Sequence, residues 1–561
     1  MSILHQRRLG FVLLALSLTV VLLWLATEVL APGGWTACKL LLLACFAGTA
    51  PWTALSAANA VVGLAILLGA EDPPAFVLPA LRQVGPGVPT LRTAIAVCIR
   101  NEEMGQVLPP LGRLLDGLEA AGAGERFVLW LLSDTADPQA VTAEEAAIVA
   151  FRTARRGAIA VCYRRRAENT GFKAGNVMDF LDRHGDEAEL MLCLDADSEM
   201  TAAAVLRLVG CMAADPRLAI LQHLVVGRPA TAAFPRLFQF GMRAGMRSWA
   251  TGQAWWQGPQ GPYWGHNAVL RIAPFRRHCR LEPLRDGRPI LSHDQVEAVR
   301  LHAAGWKVCC LPAEEGSMEG NPPALPEFMA RDLRWAAGNM QYWDLLWLPG
   351  QSAMGRWQLV QAILLFFGAP LWVGVLLCGV LNAVSGDAAA VPGGWMLALV
   401  LASWSMLHAA KLAGYVEVLL KPALAARYGG RRVFLCGALA ELGFTTLLEP
   451  VSVFNKAMFL LALPFGGRGA GWAPQNRADR GVSWADAARL LWPHTGFGLL
   501  VFGALALAAP AALAWALPLA GGLLLAIPFC VVTASPAVSA WLRAMRLAAT
   551  PEELAAPREP D

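Results

Sequence analysis

The sequence predicts an α-helical polytopic membrane protein that carries one inserted α/β domain. Three observations lead there. Only 16% of the 561 residues are charged, whereas soluble chains carry roughly 25%. The apolar residues are gathered into long runs at the two ends of the chain. Between them, residues 71–356 recover their charge and contain no run of the roughly 20 apolar residues that a bilayer-crossing helix needs.

Residues 1–70 are expected to form an N-terminal membrane region with two transmembrane helices. The run 11–31 holds one acid, Glu28, and the run 37–70 carries Lys39 near its start and is interrupted by Pro51. The first run exceeds the roughly 7–15-residue core of a cleaved signal peptide, and a second span follows at once. Arg7 and Arg8 precede the first span, so the Lys/Arg bias places the N terminus in the cytoplasm. Two crossings return the chain there, which makes 71–356 a cytoplasmic domain. Apolar runs resume at 357–383, 393–410, 433–463, 496–515 and 517–532. Residues 357–535 are therefore expected to hold about six transmembrane helices. The 433–463 run, which contains Glu441, Glu449 and Lys456, reads as two short spans or a partly re-entrant element. A cytoplasmic loop is expected near 464–494. An even count leaves Arg543 and Arg546 inside, on a short cytoplasmic tail, 536–561, whose acidic end after Ala549 reads as disordered.

Several classes are excluded. A net charge of +4 is too small to argue for nucleic acid. The 12 cysteines show no C-x-x-C and no metal-ligand spacing, so they read as reduced, small apolar residues. No H-E-x-x-H occurs among the nine histidines.

The inserted domain opens with "LRTAIAVCIRNEE", in which 94–99 is an apolar strand ending in Arg100, Asn101, Glu102 and Glu103. "FVLWLLSDTAD" gives a second buried strand at 127–132, followed by Ser133 and Asp134. "IAVCYRRR" is a third, ending in Arg164, Arg165 and Arg166, and "LMLCLDADSEM" a fourth, ending in Asp195 and Asp197. Helical patterns at 107–121, 143–155 and 174–184 lie between them. This alternation predicts an α/β layer with a parallel sheet. Ligands of such sheets bind beyond the carboxyl ends of the strands, where Glu102, Asp134, Asp195 and Asp197 all fall. Desolvating a carboxylate is costly unless it is paired or holds a metal, although a solvated Asp turn would read the same in isolation.

Further segments carry polar chemistry. In "NTGFKAGNVMDF" Lys173 sits just before a helix between Gly171 and Gly175, an arrangement suited to phosphate and equally to a surface turn. "GPYWGHNAVLRIAPF" resembles a loop that closes over a flat polar ligand such as a sugar, or a membrane-proximal aromatic loop; Trp264, His266 and Asn267 are its candidates. In "LSHDQVEAV" Asp294 begins a helical pattern, where Asp is also a good N-cap. "RDLRWAAGN" offers Arg331, Arg334 and Trp335 just before the next membrane run, for a diphosphate or for the membrane surface.

Taken in order, these segments resemble the family 2 processive glycosyltransferases, the group of cellulose and hyaluronan synthases. They resemble more closely the glucosyltransferase H family of osmoregulated periplasmic glucan synthesis. "YRRRAENTGFKAGNVMDF", "LDADSEM", "YWGHNAVLR", "LSHDQVEA" with "AGW", "RDLRWAAGN" and "QNRADRGVSWADA" carry that likeness, from the first spans to at least Ala487. Cellulose synthases commonly have T-E-D before the base and Q-x-x-R-W at the end. Here Ser292 and His293 precede Asp294, and Arg331 stands at the glutamine position.

The resemblance implies a GT-A type domain in a multi-pass protein of the bacterial inner membrane. Glu102 and Asp134 would contact uridine, Lys173 the phosphates and Asp195 the nucleotide, with Arg334 on the diphosphate side. Asp197 would hold Mg2+ or Mn2+, and Asp294 would be the general base. Trp335, Trp264, His266 and Asn267 would line the acceptor side. The implied reaction joins glucose from UDP-glucose to a growing β-glucan, β-1,2-linked in that family, with translocation across the membrane. Acyl carrier protein and a periplasmic glucan-processing protein are candidate partners beside the membrane lipids. Another UDP-sugar or linkage, or a non-catalytic glucan transporter, are the competing readings.

Overall fold

The computed structural model describes residues 2–85, 87–155, 157–386, 391–465 and 480–555. Among the described residues, ten strands form two sheets in the middle of the chain. They are β1 (Thr93–Ile99), β2 (Phe127–Ser133), β3 (Ala160–Arg165), β4 (Leu190–Asp195), β5 (Glu199–Met200), β6 (Leu218–His223), β7 (Val226–Gly227), β8 (Ala268–Arg271), β9 (Lys307–Leu311) and β10 (Ser317–Glu319). The main sheet runs β3-β2-β1-β4-β8-β6-β9, and a small one runs β5-β10-β7.

The four expected strands lie together, parallel, at one side of the main sheet. The sheet as a whole is mixed, because β8 runs antiparallel to β4 and β6. That departs from the expected parallel sheet. β8 has only four residues and follows a long helical excursion, so its direction had no local signature.

Strand alternation explains the two cores. Ile95, Val97 and Ile99 join Leu190, Leu192 and Leu194 on one face, under the helices Met104–Ala120 and Ala202–Ala214. Ala94, Ala96, Met191 and Cys193 face the other side, under Phe172–His184 and Asp294–Ala303.

Five helices among the described residues are long and apolar enough to cross a membrane: Ile3–Leu30, Ala37–Gly69, Ala353–Val384, Arg431–Phe465 and Trp484–Ala508. Two bent pairs, Gly393–Leu407 with Ala409–Leu420 (74°) and Pro510–Leu524 with Ala526–Thr533 (59°), raise the number to seven if each is one span. The sequence reading expected about eight, two before the α/β domain and about six after it. The 433–463 run lies in one continuous helix, Arg431–Ala462, despite Pro450. The loop expected near 464–494 is shorter as well, because Trp484–Ala508 is already helical. Most of that loop, with the Gln475–Asp479 part of "QNRADRGVSWADA", lies outside the described residues.

The helix Ala233–Gln257 joins the two halves. It is not among the spanning candidates, and its buried residues include Arg236, Arg243 and Arg247. It packs backbone to backbone on Ala37–Gly69. A Cβ on Gly63 would lie 1.9 Å from the Ser248 carbonyl oxygen, and one on Gly252 would lie 2.0 Å from that of Asn59. Both chain ends meet this same helix. Arg8 donates to the carbonyls of Trp256 (3.3 Å) and Gln257 (3.0 Å), and Arg543 donates to that of Thr231 (2.8 Å).

The stretch after Ala549 is ordered as far as described, contrary to expectation. Pro551–Ala555 is helical, Glu552 pairs with Arg243 (2.6 Å), and Glu553 pairs with Arg236. Buried arginines on a distant helix supply the order, which composition could not reveal. Residues 556–561 lie outside the described residues.

Candidate active site

Register brings the strand ends level. Cys98 pairs with Asp195, Ile99 with Ser133, and Ser133 with Arg165. Glu102 and Asp134 therefore emerge at the same edge as Asp195 and Asp197.

Asp134 is buried and held by Arg166, whose Nε and Nη2 donate to its two oxygens at 2.7 and 2.8 Å. Arg166 also donates to the carbonyls of Thr170 (2.9 Å) and Phe172 (3.1 Å). One bidentate pair thus ties the end of β2 to the loop before Lys173. Gly171 turns that loop with φ +69°, and a Cβ on Gly175 would lie 2.0 Å from the Thr170 carbonyl oxygen. The loop delivers Lys173 into the first turn of Phe172–His184. The Lys173 ammonium donates to Asp195 and, at 2.7 Å, to the Gly265 carbonyl. Burial depresses the Lys173 pKa, but the Asp195 carboxylate outweighs it and the net direction is upward. Lys173 stays charged.

Gly265 is the hinge of the site. It has φ +85°, and a Cβ there would lie 3.6 Å from Asp294 Oδ2. One glycine thus faces the lysine with its carbonyl and the Asp294 carboxylate with its α-carbon. Asp294 is not the helix N-cap that its position in the sequence allowed. His293 takes that place without a side-chain cap bond, and Asp294 is the first helical residue. The preceding segment is clamped. Gln341 accepts from the Leu291 N–H (2.8 Å) and Tyr342 donates to the Ser292 carbonyl (2.8 Å). A Cβ on Gly338 would lie 2.1 Å from Ser292 Oγ, so the helix Leu325–Met340 docks through a glycine.

His266 lies between two carboxylates. Its Nε2 is 2.8 Å from Glu319 and its Nδ1 is 3.8 Å from Asp195. Burial lowers its pKa, but the two acids outweigh that and hold it at about 9. Asn267 and Trp264 are placed differently. Asn267 is fully buried and donates to Ser317 Oγ (3.0 Å), fastening β10. Trp264 packs against Leu224, Ala250 and Cys310. Arg331 stacks on the half-exposed Trp335 at 4.7 Å, and Arg334 lies one turn further along the helix, half-buried. Arg166, Glu319, Gly338, Gln341 and Tyr342 were not singled out in the sequence. Only Arg166 carried a signal, as the last of three consecutive arginines after a strand.

Residues 190–416 match the family described as "Glycosyl transferase family group 2". A glucans biosynthesis glucosyltransferase H from Xanthomonas campestris pv. campestris is 31% identical, over 97% of this chain and 86% of its own. The protein of the same name from Bradyrhizobium diazoefficiens is 34% identical, over 94% of this chain and 72% of its own. The chain belongs to the glucans biosynthesis glucosyltransferase H family. It is a glycosyltransferase, and its inserted domain is of GT-A type within a polytopic membrane protein. Among solved structures, a mannosyltransferase from Pyrobaculum calidifontis in complex with GDP-Man and Mn2+ is 16% identical, with a TM-score of 0.39 over 65% of this chain and 99% of its own.

For a glucosyltransferase H, the metal question turns on Asp195 and Asp197. No group of three protein ligands exists among the described residues. A hard cation of the Mg2+ type does not need one, because it is usually held by one or two carboxylates and the substrate's phosphates. Asp197 fits that chemistry. Beside its carboxylate lies Gly320, where a Cβ would sit 3.5 Å from Asp197 Oδ2 and 3.3 Å from the Arg228 guanidinium, so Arg228 flanks the same spot.

Proposed function

We propose that the chain is a processive, inverting glucosyltransferase that takes UDP-glucose and builds the β-1,2-glucan backbone of osmoregulated periplasmic glucans at the inner membrane. The observation that carries this reading is the convergence of Lys173 and Asp294 on Gly265, with Asp195 paired to Lys173. A phosphate-binding cation and a general base then face one cleft.

In the reaction, the Asp294 carboxylate takes the proton from an acceptor hydroxyl. The hydroxyl oxygen bonds to the anomeric carbon as the bond from that carbon to the diphosphate oxygen breaks, which inverts the anomeric centre. UDP leaves, with Lys173 and Arg334 balancing its charge. Asp197, with Asp195, would hold a divalent cation, which supplies charge neutralisation to the diphosphate. Glu102 and Asp134 sit on the nucleoside side, Asp134 held in place by Arg166. Trp335, stacked on Arg331, and His266 lie toward the acceptor.

The proposed division is residues 1–70 and 357–535 in the membrane, with 71–356 and 536–561 on the cytoplasmic side. Arg7 and Arg8 before the first apolar run and Arg543 and Arg546 after the last support that orientation. The test is incubation of purified protein with labelled UDP-sugars and Mg2+, followed by linkage analysis. A β-1,2-linked product from UDP-glucose supports the reading. A product from another UDP-sugar alone, or none, overturns it.

A further inference from the structure

A crevice of about 410 Å³ opens where the second helix ends against the interface helix. Val61, Val62, Ala65, Ile66, Phe76 and Trp255 line it, so its wall is apolar. It lies in the last turns of Ala37–Gly69, beside the segment that enters the α/β domain. In the membrane division proposed above, on which this reading rests, that is the depth at which the chain meets lipid phosphates and where tryptophan is enriched.

One cation stands at its rim. The Arg7 guanidinium lies 6.0 Å from the Phe76 ring centre and 5.4 Å from that of Trp255. Both rings are walls of the crevice. Stacking uses the faces of a guanidinium and leaves its N–H edges able to donate. No carboxylate pairs with Arg7 among the described residues, whereas the neighbouring Arg8 is fully engaged with Trp256, Gln257 and Gln260. Helix packing therefore uses Arg8 and leaves the charge of Arg7 uncompensated.

We infer that this crevice is a binding site for one anionic phospholipid, with an acyl chain along Val61, Ala65 and Ile66 and the phosphate on Arg7. An apolar wall alone would take any lipid; the unneutralised cation at headgroup depth selects the anionic one. A basic side chain near the surface favours an anionic headgroup about fivefold.

The test measures lipid retained by the purified full-length protein after exchange into nanodiscs. These contain equal phosphatidylglycerol and phosphatidylethanolamine with identical acyl chains, and co-isolated annular lipid is counted by mass spectrometry. Wild type should retain phosphatidylglycerol about fivefold over phosphatidylethanolamine. Arg7→Gln should abolish the preference while keeping a bound lipid, and Ala65→Trp should displace the lipid itself. Arg126→Gln, on the exposed surface of the α/β domain, should change nothing. Equal retention of the two lipids by wild type overturns the inference, as does a preference that survives Arg7→Gln. The wild-type comparison decides even if a variant fails to fold. Glucan synthesis is not the readout, so failure here leaves the catalytic reading untouched.

Discussion

The strand-end site and the junction beneath it both bury ion pairs, but they arrange them in opposite ways. At the junction, Arg243 bridges Glu314 (3.3 Å) and Glu552 (2.6 Å), while Arg247 bridges Glu314 (3.2 Å) and Glu417 (2.5 Å). Glu314 and Arg243 are 3% and 1% exposed, so these charges compensate one another away from water. They join the interface helix, the loop before β10, a bent membrane helix and the C-terminal helix. At the site, the Asp195 side chain stays 35% exposed and Lys173 21%. Asp197 and Asp294 are likewise partly exposed. A closed network holds parts together; an open one is completed by a ligand.

The largest expected effect on stability tests the closed network. Arg243→Ala leaves Glu552 without its arginine and Glu314 with Arg247 and Arg427 only, and should cost about 3 kcal/mol of stability, the low end for a broken buried pair. Thermal unfolding of the purified protein measures this, and turnover per folded molecule should hold. Lost turnover at unchanged stability would erase the contrast.

Next comes the open site. Asp197→Ala should lower glucose transfer at least about a thousandfold, several kcal/mol in barrier terms. EDTA should do the same to wild type, and full activity in EDTA would remove the cation from the scheme. Asp294→Asn should leave the protein folded and able to bind UDP, yet cut synthesis at least about a hundredfold. Near-normal turnover would shift the search for the base to His293, which lies 3.1 Å from Glu297.

The smallest effect concerns His266. Its folded pKa of about 9 lies above the ordinary 6.5. The stability from its pairing with Asp195 and Glu319 is therefore complete below about pH 6.5 and is lost as pH rises through 9. The unfolding temperature of wild type should fall across that interval, and His266→Gln should flatten the fall. Parallel curves would show that the pair does not titrate there.

Much of the site was readable because its chemistry sits at strand ends. A buried apolar strand followed at once by a carboxylate is a local pattern, and Glu102, Asp134, Asp195 and Asp197 each follow one. The apolar runs likewise marked the membrane helices by composition alone. What the local pattern could not hold was partnership across the chain. Arg166 on Asp134, Glu319 on His266, and Gly338 under Ser292 join residues from different elements: sheet register sets the first, and packing of loops, the small sheet and a helix sets the other two. Nor could periodicity tell that 431–462 is one helix, that β8 runs against its neighbours, or that Pro551–Ala555 is a helix paired with buried arginines. A run of apolar residues specifies that a segment is buried. Its direction, its length between bends and the charges it meets depend on packing against distant segments, and those were settled only in the tertiary structure.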